Sequence, residues 1–130
     1  MSHHRATVTA PGAPAAVGPY VHAVRAGRLL FCSGQIPLDP ATGEITGTTP
    51  AEQARRCLEN LAVVCEAGGA GLADAVRVTV YLTDMTAFAE VNEVYAQFFP
   101  SDPPARVAIG VAALPKGAQV EMDAVVALPD

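Results

Sequence analysis

A chain of 130 residues, 51% of them hydrophobic and 16% charged, is long enough for a single domain, residues 1–130, with a sizeable core. The formal net charge of −5 leaves only eight Lys and Arg residues, too few and too scattered for non-specific nucleic-acid binding. No apolar run approaches the ~20 residues of a membrane span. Residues 1–5 lack the apolar core of a signal peptide, so we expect a cytoplasmic protein.

The first third of the chain predicts three strands and a long loop. Residues 5–9 alternate weakly and suit an edge strand, whereas residues 20–33 have the pattern of a β-hairpin that turns near Gly27. A segment rich in turn residues follows over residues 33–45. A loop of that length in so short a chain favours a functional role.

A helix is predicted to begin after Thr49. Thr49 suits the N-cap, Pro50 suits the first helical position, and Glu52 completes a capping box. Gly68 and Gly69 are typical of a helix end. The predicted buried stripe of this helix consists of Ala54, Leu58, Leu61 and Cys65.

The second half of the chain alternates between strands and a helix. Residues 74–83 have the period of two that is typical of a strand, and a second helix is expected to end before Pro100. Two further extended runs follow, over residues 106–111 and 119–126. The predicted buried stripe of the second helix consists of Phe88, Val91, Tyr95 and Phe98.

This order predicts an α/β (α+β) two-layer sandwich, in which two helices cover one face of a mixed sheet of about six strands. The face expected beneath the helices is formed by Val76, Val78, Val107, Ile109, Val120 and Met122. The opposite face is expected to carry Thr79, Tyr81, Arg106, Ala108, Glu121 and Val125. That second face is too mixed for another core and no helix remains to cover it, so we expect it to be buried between subunits.

Arg106 and Glu121 are the charged residues that the strand pattern singles out. Each is expected on the polar side of an otherwise apolar strand, and Arg106 stands among small neighbours such as Ala108 and Gly110. A guanidinium beside open space can hold a carboxylate through two parallel hydrogen bonds. The alternative is a surface salt bridge that contributes little to stability, and the spacing by itself favours this plainer interpretation.

The remaining polar residues do not predict a metal or cofactor site. The glycines match neither a phosphate-binding loop nor a dinucleotide fingerprint, and the three cysteines lack metal-ligand spacing. His3, His4 and His22 do not form a credible metal or Ser-His-Asp set. Asn92, inside the second helix, suits either a solvated position or a pocket donor, and the sequence leaves both open.

Three motifs remain, and together they span nearly the whole chain. They are Gly18-Pro19-Tyr20, Ser33-Gly34-Gln35-Ile36-Pro37, and Pro104-Ala105-Arg106 continuing to Leu114-Pro115-Lys116-Gly117-Ala118 and Val120-Glu121. In order and spacing they resemble the Rid (YjgF, translation-inhibitor-like) family of reactive imine and enamine deaminases. The resemblance implies a chorismate-mutase-like fold and a homotrimer with three pockets between subunits. It also allows another strand to lie between the last two strands of the chain.

The resemblance implies roles for single residues as well. Arg106 corresponds to the family arginine that binds the substrate carboxylate, and Glu121 to the acid associated with the attacking water. The positions that correspond to the substrate pocket are Tyr20, Ser33, Gly34 and Asn92. The chain departs from some members at His22 and at Ala108, which leaves the exact substrate open.

The leading hypothesis is an enzyme that hydrolyses small 2-imino or 2-enamino acids, such as 2-aminoacrylate, to 2-oxo acids and ammonia. Such imines hydrolyse readily, so it suffices to hold the carboxylate, place one water and move a proton. No metal or organic cofactor is required. We expect Asp123 to raise the pKa of Glu121 and Arg106 to lower it.

Two alternatives belong to other classes of protein. One is a non-catalytic protein that binds a carboxylate metabolite through Arg106 without using Glu121. The other is an endoribonuclease or translation inhibitor, an activity also attached to the family that the chain resembles. The sequence lacks the basic stripe and aromatic stacking platform that RNA binding would use.

Overall fold

The computed structural model describes residues 4–130, and its elements follow the predicted order. The strands are β1 (Ala6–Val8), β2 (Ala23–Ala26), β3 (Leu29–Gln35), β4 (Ala75–Leu82), β5 (Ala105–Gly110) and β6 (Val120–Ala127). The helices are α1 (Pro50–Ala67) and α2 (Phe88–Phe98). The strands form one mixed sheet in the order β1-β2-β3-β6-β4-β5, and the two helices pack against one face of it, as predicted.

The last two strands in the sequence are not neighbours in the sheet. β4 lies between them, parallel to β5 and antiparallel to β6, which is the arrangement that the family resemblance allowed. A parallel pair needs a crossover connection, and α2 supplies it between β4 and β5. β5 is consequently left at the edge of the sheet.

The first helix begins and ends as the sequence predicts. The Thr49 side chain accepts a hydrogen bond from the backbone N–H of Glu52 at 3.1 Å, and the Glu52 carboxylate accepts one from the backbone N–H of Thr49 at 3.1 Å. Gly68 caps the C-terminus. The predicted stripe is fully buried, at Ala54, Leu58, Leu61 and Cys65. Each large side chain buried in this way contributes roughly 1.5–3 kcal/mol to stability.

The prediction of which β5 residues face the helices was wrong. Arg106 is in register with Val78 of β4, and Val78 is fully buried beneath the helices. Arg106 and Ala108 therefore point to the helical side, whereas Val107 and Ile109 are 44% and 46% exposed on the open face. A period of two tells which residues share a face but not which face is inward, and here the register with β4 decides it.

One residue of β4 also departs from the prediction. Val76 is 44% exposed, because the β4–β6 register shifts between Ala75 and Arg77 and interrupts the alternation. Val78, Val120 and Met122 are fully buried, as predicted.

The open face of the sheet carries Tyr81, Glu121 and Val125, as predicted, but it is more apolar than expected. Its exposed apolar side chains are Leu29, Phe31, Val107 and Ile109.

Within residues 4–130 no helix is both long and apolar enough to cross a bilayer.

Candidate active site

A bulge at the end of β3 shapes the candidate site. The β3–β6 register shifts between Cys32 and Gln35, so that Ser33 and Gly34 together oppose the single residue Asp123. A bulge of this kind bends the strand and re-aims its side chains, and bulges are common next to active sites.

Ser33 is held firmly within this bulge. Its backbone N–H donates to the carbonyl oxygen of His22 at 2.9 Å, and its Oγ donates to the carbonyl oxygen of Val21 at 2.6 Å. The hydroxyl proton is already donated to the carbonyl oxygen of Val21, and the hydroxyl oxygen can still accept a hydrogen bond from another donor. Ser33 can therefore accept a hydrogen bond from a bound water or ligand.

Gly34 is the position against which the Glu121 carboxyl group packs. A Cβ added at Gly34 would overlap Oε2 of Glu121 and would lie 3.0 Å from its Cδ. Gly34 does not have a positive φ angle, so the requirement for glycine comes from this close approach and not from backbone conformation.

The bulge borders a cavity of about 410 Å³. This volume falls within the usual range for small-molecule sites. Glu121 and Lys116 supply charged groups to its wall, and Tyr20 is 46% exposed at its edge. The cavity also borders Pro14, Val17, His22, Gln35, Ile36 and Leu38.

His22 anchors the segment that forms one wall of this cavity. Its Nδ1 accepts a hydrogen bond from the backbone N–H of Ala10 at 2.8 Å, and its Nε2 lies 2.8 Å from the carbonyl oxygen of Pro14. These two partners define the neutral tautomer with the proton on Nε2. His22 is 5% exposed and is a structural residue, as the sequence favours in predicting a half-buried strand residue there and not a catalyst, although His22 lies just before β2.

Glu121 is the acidic group of the cavity, and its electrostatic surroundings favour its neutral form. Burial raises the pKa of Glu121, and the negative charge of Asp123 raises it further. Arg106 does not offset this in one chain, in contrast to the effect weighed from the sequence, because it faces the other side of the sheet. A carboxyl group with a raised pKa accepts a proton more readily than an ordinary one.

Arg106 is held by three residues of α2. Its Nη1 donates to Oδ1 of Asn92 at 2.7 Å. Its guanidinium lies 5.2 Å from the ring centroid of Phe88 and 4.9 Å from that of Tyr95. These three residues stand at i, i+4 and i+7, on one face of the helix. The sequence analysis placed the two rings in the buried stripe. The helical spacing of Phe88, Asn92 and Tyr95 was the feature of the sequence from which these contacts with Arg106 could have been predicted.

The candidate residues fall into two groups on opposite faces of the sheet. Arg106 shares its face of the sheet with Val78 of β4. Glu121 shares its face with Tyr81, which is also on β4 but three residues after Val78 and therefore on the opposite face. The prediction that Arg106 and Glu121 lie on the same face was therefore wrong. One copy of the chain does not bring them into one cavity.

The grouping of the remaining candidates follows from this division. Tyr20, Ser33 and Gly34 border the cavity with Glu121. Asn92 lies with Arg106 at the edge of the sheet.

Donor groups for a metal do not converge in the described part of the chain. No cluster of three His, Cys, Asp or Glu residues with the proximity of metal ligands occurs within residues 4–130. The three cysteines are buried free thiols. His3, considered in the sequence analysis, lies outside the described residues.

Comparison with known proteins relates the sequence and the fold of this chain to one family. The profile of the family described as Endoribonuclease L-PSP matches residues 10–128. RutC family protein y4sK of Sinorhizobium fredii is 52% identical over 116 residues, which cover 89% of this chain and 92% of that protein. The human protein named 2-iminobutanoate/2-iminopropanoate deaminase is 42% identical over 121 residues, which cover 93% of this chain and 88% of that protein.

Solved structures agree with these sequence relationships. The crystal structure of RidA from an Antarctic Psychrobacter species has a TM-score of 0.91 and 41% identity, covering 95% of this chain and 99% of that one. The E. coli TdcF structure with bound serine has a TM-score of 0.90 and 39% identity over the same shares. The six-stranded mixed sheet with two helices on one face is the fold that this chain shares with RidA. The chain belongs to this Rid (YjgF) family, the one described as Endoribonuclease L-PSP.

Proposed function

We propose that this protein hydrolyses small 2-imino and 2-enamino acids to 2-oxo acids and ammonia, in a site shared by adjacent copies of a homotrimer. The observation that carries the proposal is that the two charged groups of the site, Glu121 and Arg106, lie on opposite faces of the sheet. A half-buried acid with a raised pKa, Glu121, stands in a small cavity, and a preoriented guanidinium, Arg106, stands at the sheet edge. The printed name of the human relative, at 42% identity, supports the reaction.

The open face of the sheet supports the assembly. Leu29 and Phe31 of β3 and Val107 and Ile109 of β5 are between 36% and 46% exposed there, on either side of the polar residues of β4 and β6. Exposed apolar side chains around a polar centre are compatible with an interface. β5 lies at the sheet edge and carries Arg106, so a neighbouring copy packed on the open face can receive that side chain beside its own cavity. The three buried thiols suit the cytoplasmic location that we propose for the trimer.

Arg106 binds the substrate carboxylate in this mechanism. Asn92 occupies Nη1, and the rings of Phe88 and Tyr95 fix the plane of the guanidinium, so the opposite edge presents a preformed fork. Fixing the carboxylate in this way orients C2 of the substrate toward the water held beside Glu121.

Glu121 transfers protons in the chemical step. The water oxygen forms a bond to C2 while the C=N π electrons move to nitrogen, and Glu121 accepts a proton from the water and passes it to the nitrogen. A second proton follows from the C2 hydroxyl to nitrogen by the same route, the C–N bond breaks, and the oxygen lone pair forms the C=O bond. Ammonia leaves with both water protons, and an enamino acid reaches the same imine by moving a proton from nitrogen to C3.

The test is to add the protein to a dehydratase or amino-acid oxidase that releases an imino acid, and to follow 2-oxo acid and ammonia. Arg106→Lys keeps the charge but loses the planar fork, so we expect kcat/KM to fall about ten- to a hundredfold. Glu121→Gln keeps the shape and removes the base, so turnover should slow while binding of a stable 2-oxo acid is nearly unchanged. The control is Arg25→Lys, an exposed arginine of β2, which should retain the wild-type rate.

Each outcome separates the candidate functions. A non-catalytic binder would lose 2-oxo acid binding in Arg106→Lys and would never accelerate imine hydrolysis. Wild-type turnover in Glu121→Gln would contradict the mechanism.

RNA cleavage is the second candidate, because the matching family is described as an endoribonuclease. Paired acid–base histidines are not available for it in the described part of the chain, where the histidines are His4 and His22. Both ring nitrogens of His22 are engaged with backbone groups. With a net charge of −5 as well, we rank this function below imine hydrolysis.

A further inference from the structure

Four side chains of β4 and β6 form a polar cluster on the open face of the sheet. In the register of these strands Tyr81 lies opposite Glu121, and Thr79 lies opposite Asp123. The Tyr81 hydroxyl reaches diagonally, since its Oη donates to Oδ2 of Asp123 at 2.8 Å. Diagonal neighbours on an antiparallel pair lie within reach of long aromatic side chains, so this contact is an ordinary feature of such a ladder.

Asp123 stands beside Glu121 but does not border the cavity that Glu121 lines. Residues two apart on one strand are about 6.5–7 Å apart at Cα, which is close enough for their carboxylates to repel each other. The Tyr81 hydroxyl donates to the Asp123 carboxylate and so fixes the position of that group. A carboxyl group in a fixed position therefore stands next to the acid that lines the cavity.

We infer that Asp123, fixed by Tyr81, is a positioning residue for imine hydrolysis that acts through Glu121 and not on the substrate. The inference rests on the function proposed above. The charge of Asp123 makes Glu121 a stronger base toward the attacking water, and Tyr81 holds that charge in one place. The pKa of Glu121, raised by burial and by Asp123, has the direction that this role requires.

Other groups around Glu121 must be separated from this effect. They are Tyr20, His22 and Lys116 at the cavity, Cys57 of α1 on the other side of β6, Ser33 and Gln35 of β3 and, in the proposed trimer, Arg106 of the neighbouring copy. Lys116 and the neighbouring Arg106 favour the ionised form of Glu121 and so oppose Asp123. None of them is altered when Asp123 is substituted, so the difference between variants reports on Asp123.

The experiment is a ¹³C NMR titration of the Glu121 carboxyl carbon in the full chain, assigned with Glu121→Gln, together with the pH profile of kcat. Asp123→Asn keeps the shape and an acceptor for Tyr81 but removes the charge. We expect the Glu121 titration midpoint to move to lower pH by roughly half a unit to one unit. The corresponding limb of the kcat profile should move in the same direction, with KM within about twofold because Asp123 does not touch substrate.

Three further variants define the role. Asp123→Glu retains the charge and should restore the wild-type midpoint. Tyr81→Phe releases Asp123 without removing its charge, so it should move the midpoint in the same direction by a smaller amount. Glu66→Gln removes one exposed negative charge from α1, outside the cavity, and is the matched control that should leave the midpoint in place.

An unchanged Glu121 midpoint in Asp123→Asn would overturn the inference, as would an equal shift in Glu66→Gln. If Asp123→Asn does not fold, Tyr81→Phe is the variant that tests the inference. A wild-type Glu121 midpoint in Tyr81→Phe would overturn the role proposed for Tyr81 and Asp123. Failure of the proposed function is distinguishable, because it removes imine turnover in the wild type while the NMR midpoint is still measured.

Discussion

At Gly34 the absence of a side chain creates the space in which the acid of the cavity sits. The Glu121 carboxyl group occupies the position that a Cβ would fill, and the bulge formed with Ser33 brings the two strands to this separation. The φ angle of Gly34 is not positive, and the three heavy atoms nearest to a Cβ there all belong to Glu121. This makes Gly34 a sensitive probe of where the carboxyl group must lie.

We predict that Gly34→Ala displaces the Glu121 carboxyl group and lowers kcat about ten- to a hundredfold, because misplacement by about 1 Å is costly in catalysis. The long side chain can move away, so the fold should be kept. Imine hydrolysis and the thermal midpoint are the measurements. Gly71→Ala is the control, since a Cβ there lies 3.7 Å from its nearest neighbour, Asp74. A wild-type kcat in Gly34→Ala would contradict the assignment of Glu121.

At the scale of elements, a buried histidine ties the segment before β2 to the sheet. His22 satisfies the N–H of Ala10 and the carbonyl of Pro14, and both residues are buried. The segment that it holds continues along the cavity to Tyr20. Burying an unpaired backbone group is costly, so this segment depends on the two nitrogens of one ring.

We predict that His22→Leu destabilises the protein by about 1–3 kcal/mol, because it leaves two buried backbone groups without partners. His22→Gln offers an acceptor and a donor and should recover most of that loss. Denaturant unfolding at fixed protein concentration measures both variants, and KM should rise in His22→Leu because a cavity wall is loosened. Equal stability of the leucine and glutamine variants would show that His22 is not an anchor.

At the scale of the whole molecule, the two halves of the candidate site lie on opposite faces of one sheet. Half of the residues are hydrophobic, 51%, and part of that surface remains exposed on the open face. Association of three copies would cover it and would place Arg106 of one copy near Glu121 of the next. The sharing of the site between copies is directly testable.

We predict that Arg106→Ala and Glu121→Gln, each strongly impaired alone, complement each other when they are co-expressed or refolded together. If each site takes its arginine and its glutamate from different copies, random mixing restores about a quarter of the wild-type sites. The measurements are imine hydrolysis and the mass in dilute solution, expected at about three chains. Mixed assemblies without recovered activity, or a stable monomer, would contradict a shared site.

Much of the fold was predictable because it depends on interactions between residues close in the sequence. The capping box at Thr49, the buried stripe of α1 and the β2–β3 hairpin each follow from short-range rules, and the structure confirms them. The three motifs pointed to the family, and the family profile confirms it. The sequence by itself therefore determined the order of elements and the family.

Only the tertiary structure decided which candidates share a site. The inward face of β5 depends on its register with β4, and the bulge beneath Glu121 depends on the pairing of β3 with β6, strands far apart in the chain. An alternating pattern has the same period whichever face is buried, so it could not assign Arg106 to the helical side. Long-range strand pairing decides which of the two faces is buried, and it is the physical reason why Arg106 and Glu121 are separated within one copy.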